Sequence, residues 1–143
     1  MPQEGALLVP VSNTGASYEA LSHAGMVARA QRSPIRVIHV IEVVRSLPVD
    51  AEMEWEARQG EQLLRRAEDL AKKEGFHVVT EMLQSRQAGQ AIVDEAHAQE
   101  ASAIVLGMQF RRMVGEFEPG TTTSYVLQHA RCPVWVIRES ARD

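Results

Sequence analysis

Short apolar runs alternate with amphipathic stretches along this chain. "ALLVPV" (6–11), "IRVIHVI" (35–41), "FHVVTEML" (76–83), "ASAIVLG" (101–107) and "CPVWVI" (132–137) read as five strands. Their near-continuous apolar character suits strands buried on both faces. Between them, small and apolar residues recur at helical spacing. Ala20, Leu21, Ala24, Val27 and Ala28 predict a helix over 16–31. Trp55, Leu63, Ala67, Leu70 and Ala71 predict one face of a second helix from about Glu54 to Glu74. Ala91, Ile92 and Ala96 belong to a third over 88–100, and a fourth covers 120–130. The punctuation agrees. "SNTG" (12–15) offers Asn and Thr oxygens to the free amides of a helix start, while "SP" (33–34) and Gly75 are stops. Residues 42–53 form a longer connection.

Strand and helix therefore alternate from end to end, which calls for an α/β fold with a parallel sheet covered by helices on both faces. The expected architecture is a doubly wound five-stranded parallel sheet, strand order 3-2-1-4-5, with right-handed crossovers. In such a sheet a ligand sits where the strand order reverses, beyond the carboxyl ends of strands 1 and 4. Those ends are "VPVSN" (9–13) and "LGMQF" (106–110). No internal repeat, low-complexity tract or second domain interrupts the pattern, so residues 1–143 read as one domain.

Composition changes this picture only by exclusion. A formal net charge of −4 gives no general attraction to nucleic acid or to an anionic membrane. The single cysteine, Cys132, cannot form an internal disulfide, which suits a reducing cytoplasmic setting. No apolar run approaches the roughly 20 residues that span a bilayer, and no signal peptide is visible.

The chemistry-bearing segment is "GMQFRRMVGEFEPGTTTS" (107–124). It matches neither a P-loop nor G-x-G-x-x-G, and the chain has no G-x-S-x-G and no C-x-x-C. Together with "LLVPVSN", "IHVIEV", "AIVLG" and the closing "GTTTSYVLQHARCPVWVI", it resembles the universal stress protein family over essentially the whole length. ATP-binding members of that family carry G-x-x-G, nine residues, then G-[ST]. Here Gly107 is present, Phe110 stands where the second glycine belongs, and nine residues separate it from Gly120–Thr121. Ser12 replaces the Asp that usually ends the family's first strand.

The resemblance implies a nucleotide pocket. Val9, Pro10, Val11 and Ser12 would line it from the first strand, and Val40 would lie beside an adenine. Leu106, Gly107 and Met108 would form the facing wall, with Gly120, Thr121, Thr122 and Thr123 as the phosphate seat. Arg111 and Arg112 would add charge, partly cancelled by Glu116 and Glu118. The departures weaken the pocket. A glycine in such a loop permits positive φ and close backbone approach to phosphate, which a Phe110 ring hinders. Serine in place of aspartate removes a hard-cation ligand, so Mg²⁺ is not expected. The expectation is thus a degraded cradle, holding ATP or AMP weakly. No general base or metal ligand can be named, so no catalytic residue is assigned and the protein is expected to bind rather than turn over. The resemblance also implies a homodimer through the last strand. A narrower likeness, in "VPVSN" and "HVIEVVRSLPVD", is to domains attached to amino-acid permeases, and implies a transporter in the same or another chain as partner. The other reading is an interaction domain of the same fold that needs no ligand.

Several residues have plain explanations. His39 in an apolar strand reads as a satisfied histidine, and His23, His77, His97 and His129 lack ligand spacing. Cys132 reads as a small buried residue, Met53 and Trp55 as packing, and "LLRRAEDLAKKEG" (63–75) as mostly a solvated helix face. Trp135 fits either core or interface, and the resemblance favours the interface.

Overall fold

The computed structural model describes residues 5–110 and 120–141. Among them, strands β1 (Leu7–Pro10), β2 (Ile35–Glu42), β3 (Val78–Ser85), β4 (Ala103–Met108) and β5 (Val134–Arg138) alternate with helices. The helices are α1 (Gly15–Gln31), α2 (Glu54–Glu74), α3 (Ala88–Ala98) and α4 (Thr121–His129). The sheet runs β3-β2-β1-β4-β5, and every neighbouring pair is parallel. This is the order expected from the alternation.

Period-two alternation sorts the strand side chains onto two faces. Leu7, Val9, Ile35, Val37, Ala103 and Val105 pack under α1 and α2, against Ala20, Leu21, Ala24, Leu64 and Ala67. Leu8, Ile38, Ile104 and Leu106 face the other way, onto Ile92 and Ala96 of α3 and Val126 of α4. On that second face Arg36 of β2 reaches Glu81 at 2.8 Å and Glu95 of α3 at 3.6 Å. Burial first, and then the neighbouring Glu81 carboxyl, hold the Glu95 pKa above the usual carboxylate range, against the pull of Arg36.

Four sequence expectations need correction. Trp55 is 63% exposed rather than part of the buried face, because the burial of α2 begins only at Gly60, a full turn later. Val27 is half-buried, while Tyr18 and Gly25 join the buried face of α1. The third strand starts at Val78, where its ladder with β2 begins. Phe76 precedes it as a core plug whose ring occupies the space left by Gly25. Finally, α1 starts without a side-chain bond from Thr14, its N-cap residue. The turn is tied by Ser17 instead: its hydroxyl donates to the Thr14 carbonyl (3.0 Å) and accepts from the Ser12 amide (3.1 Å). The helix stops behave as expected. Gly75 takes φ 81° and returns its N–H to the Ala71 carbonyl, and Arg32 closes α1 at φ 54°.

Candidate functional site

In a doubly wound sheet each strand hands over to its helix at the carboxyl edge, so helix N-termini collect there. A cleft of about 910 Å³ opens at this edge, beyond β1 and β4. Three helix starts line it: Thr14 before α1, Gln87 and Ala88 at α3, and Gly120 to Thr123 at α4. A slot of about 200 Å³ continues inward between Pro10, Val40, Ile92 and Leu106. The site thus has a polar mouth with the positive ends of helix dipoles, and an apolar interior.

The three starts differ in what they leave open. At α1, the Ser17 hydroxyl occupies the turn. At α3, the Glu42 carboxylate accepts the Ala88 amide through Oε2 at 2.8 Å. At α4 no side chain among the described residues caps the first turn, where Gly120 stands at the N-cap. The first turn of α4, with Thr121 and Thr122, thus lines the cleft with amides that no described side chain caps.

The two described glycines of the motif have different reasons to be glycine. A Cβ at Gly107 would collide with the Ala16 carbonyl and the Ser17 amide of α1. Gly107 is thus a contact between β4 and the first turn of α1, with no positive φ. Gly120 has φ −66°, open to any residue, and a Cβ there would meet no described residue within 4 Å. Phe110 also departs from expectation. It has no positive φ, and its ring lies 4.7 Å from the Arg138 guanidinium rather than among the residues lining the cleft. The ring thus lies toward the end of β5, while the loop it was expected to hinder falls outside the described residues.

Of the residues expected in the pocket, Pro10, Val11, Ser12, Val40, Leu106, Gly107, Met108, Gly120, Thr121, Thr122 and Thr123 all line the cleft or its slot. Val9 does not. It is fully buried on the opposite face of the sheet, in the core under α1 and α2. Arg111 and Arg112 lie, with Glu116 and Glu118, outside the described residues. The Ser12 hydroxyl is 3.3 Å from that of Thr14, and among the described residues no group of three His, Cys, Asp or Glu side chains is placed to hold a metal. His39 lines the slot, and its Nδ1 donates to the Val11 carbonyl at 2.9 Å, a satisfied histidine. Burial pushes the Cys132 thiol up, away from nucleophilic character.

Sequence reasoning missed the α3 side of the site: Glu42, Gln87, Ala88, Gly89 and Tyr125 also line the cleft. Gly89 lets α3 approach the Tyr125 side chain of α4, where an added Cβ would come within 2.9 Å. The rule that helices start at the carboxyl edge was the available signal for α3.

The sequence pattern of the universal stress protein family matches residues 5–138. The chain belongs to this family. It is similar to a universal stress protein of Methanocaldococcus jannaschii, 26% identical over 96% of this chain and 84% of the relative. Among solved structures, one universal stress protein from Archaeoglobus fulgidus superposes with a TM-score of 0.77 at 22% identity. It covers 92% of this chain and 97% of its own. Another from that organism, solved in complex with dAMP, gives a TM-score of 0.74 at 21% identity, covering 94% and 98%. At such identities the structural likeness is one of fold. Among the described residues of this universal stress protein, no helix is long and apolar enough to cross a membrane.

Proposed function

We propose that this universal stress protein binds an adenine nucleotide, with phosphate at Gly120–Thr123 and the base in the slot beside Val40. It acts in the cytoplasm by occupancy rather than by turnover. Gly120 carries this reading. Neither its φ nor any described neighbour requires a glycine, so the missing side chain leaves room for something outside the fold to approach the α4 amides. The dAMP complex of a protein with the same fold supports the choice of ligand class. Affinity is weak and Mg²⁺ contributes little, since Ser12 offers a hydroxyl where a carboxylate would anchor the ion.

Calorimetry with AMP and ATP, with and without Mg²⁺, tests the proposal. Gly120→Val is expected to lower nucleotide affinity about tenfold or more, by displacing phosphate from charge-assisted amide bonds. Its stability should fall by only about 1 kcal/mol, the cost of a poorer N-cap residue, since no described neighbour crowds the position. Equal nucleotide affinity in the two proteins would refute the phosphate seat. Submicromolar, Mg²⁺-dependent ATP binding by the unaltered protein would refute the weakened cradle.

Self-association is the second part of the proposal. Val134, Trp135, Val136 and Ile137 of β5 are half-buried on the outer strand of the sheet. An apolar edge of this kind invites pairing with a second copy. Trp135→Lys is expected to convert a dimer to monomer in sedimentation at tens of micromolar, roughly the range where moderate interfaces populate. An unchanged assembly would rule out β5 as the contact. If nucleotide binding fails while the dimer stands, the ligand-independent interaction domain is the surviving reading. Regulation of an amino-acid transporter is the setting we propose, on the strength of the "HVIEVVRSLPVD" stretch (39–50), whose Val44, Leu47 and Val49 are exposed. Its test is co-purification of such a transporter with the tagged protein from native cells; a repeated absence counts against it.

A further inference from the structure

Residues 44–50 are exposed without a break, and three of them are large and apolar: Val44, Leu47 and Val49. Trp55 follows in the first turn of α2, so four of the seven large apolar side chains exposed among the described residues fall within twelve positions. The segment is nevertheless held firmly. Its Leu47 amide donates to the Val44 carbonyl at 3.1 Å and its Ala51 amide to the Pro48 carbonyl at 3.0 Å, closing two consecutive turns. Gln84 of β3 and Arg86 just beyond it tie both turns down. The Arg86 guanidinium donates to the Val44 carbonyl at 2.6 Å, and the Gln84 amide to the carbonyls of Val49 (2.9 Å) and Ala51 (3.1 Å). The backbone is thus fixed while clustered apolar side chains stay in water, an arrangement for which folding alone gives no reason.

Charge decides what covers them. Residues 43–56 hold four carboxylates, Asp50, Glu52, Glu54 and Glu56, against one arginine, Arg45, and so carry three of the chain's four net negative charges. None of the four pairs with a cation among the described residues. Such a surface repels nucleic acid and anionic membranes, and a two-fold contact with a second copy would set carboxylates against carboxylates. A cationic partner gains from the same field. We propose that the 44–55 surface docks a cationic amphipathic segment of a partner protein, its apolar side chains on Val44, Leu47 and Val49 and its Lys or Arg side chains among the carboxylates. The inference is independent of the nucleotide reading. It deepens the transporter setting proposed above and rests on it for the source of the segment, because cytoplasmic stretches beside membrane helices are rich in Lys and Arg.

Fluorescence anisotropy with dye-labelled peptides tests the surface directly. The probe carries leucine and lysine at helical spacing; one control replaces each lysine by glutamate, the other each leucine by serine. The unaltered protein should bind the probe at least about tenfold more tightly than either control, with affinity falling as salt rises. Leu47→Ser with Val49→Ser should weaken probe binding about tenfold. Asp50→Asn with Glu52→Gln should weaken it too and flatten the salt dependence. All four side chains are exposed, so melting temperatures should stay near the parent's. No binding of the probe, equal binding of either control, or unchanged affinity in either double variant overturns the inference. So does a dimer that sedimentation shows to be lost in the Leu47→Ser, Val49→Ser protein, which would give the surface to a second copy. Binding to vesicles of anionic phospholipid through these residues would give it to a membrane and likewise overturn the inference. A transporter that fails to co-purify, while the probe binds, refutes that setting and leaves the docking surface standing.

Discussion

Gly107→Val should destabilise the protein by about 3 kcal/mol or more, the upper range for overpacking. The position tolerates no Cβ, since even alanine would place one against the Ala16 carbonyl and the Ser17 amide. Those are backbone atoms, so no rotamer change relieves the collision. The first turn of α1 cannot simply lift away, because Ser17 ties it back to Ser12 and Thr14. Moving it would also disturb Ala16 and Ala20, both buried. Urea denaturation of Gly107→Val beside Gly120→Val measures the contrast directly. The first should shift strongly and the second only by the loss of a favourable N-cap, about 1 kcal/mol, although both substitutions alter glycines of one motif. A Gly107→Val protein as stable as its parent would mean that α1 does not cross β4 at this residue.

That contrast also shows where sequence reading loses resolution. A glycine near a loop has three physical uses: positive φ, approach by another chain segment, or approach by a ligand. The motif spacing could not choose among them. Contacts assign the second to Gly107, whereas at Gly120 the described residues show neither of the first two. Strand order, by contrast, was legible because near-continuous apolar strands alternating with helices admit few right-handed, unknotted arrangements. The carboxyl ends of β1 and β4 followed from that order alone, and with them most of the cleft. Val9 was misplaced although the signal existed. Period two sets it opposite Leu8 and Pro10, and therefore away from α3 and α4. Trp55 was misplaced for a different reason. Helical spacing tells which face of α2 is apolar, but not how far along the helix the sheet extends to cover it. Glu42 and Tyr125 had no local signature, since they reach the cleft through the packing of α3 on β2 and α4.

Ile38→Ala should cost about 2–5 kcal/mol, a large share of the roughly 5–15 kcal/mol that holds a typical domain together. Ile38 is fully buried at the middle of β2, in the core cluster with Leu8, Ile92 and Leu106. Strand neighbours on both sides limit collapse around the lost atoms: β2 is laddered to β1 from Leu7↔Ile35 to Pro10↔Ile38 and to β3 along its whole length. The cavity therefore stays largely open, which places the cost toward the upper part of the range. Val79→Ala on β3 is the matched control, because Val79 is 57% exposed and its truncation should fall within about 0.5 kcal/mol. The ligand site should register the change as well. Ile92 and Leu106 wall the inner slot while their other contacts lie in this same core, so a void behind them loosens the slot in which the proposed function places a base. AMP affinity measured well below the melting transition should fall in Ile38→Ala and hold in Val79→Ala. Denaturation midpoints that coincide for the two variants would show that the α3 side of the sheet is not the close-packed core described.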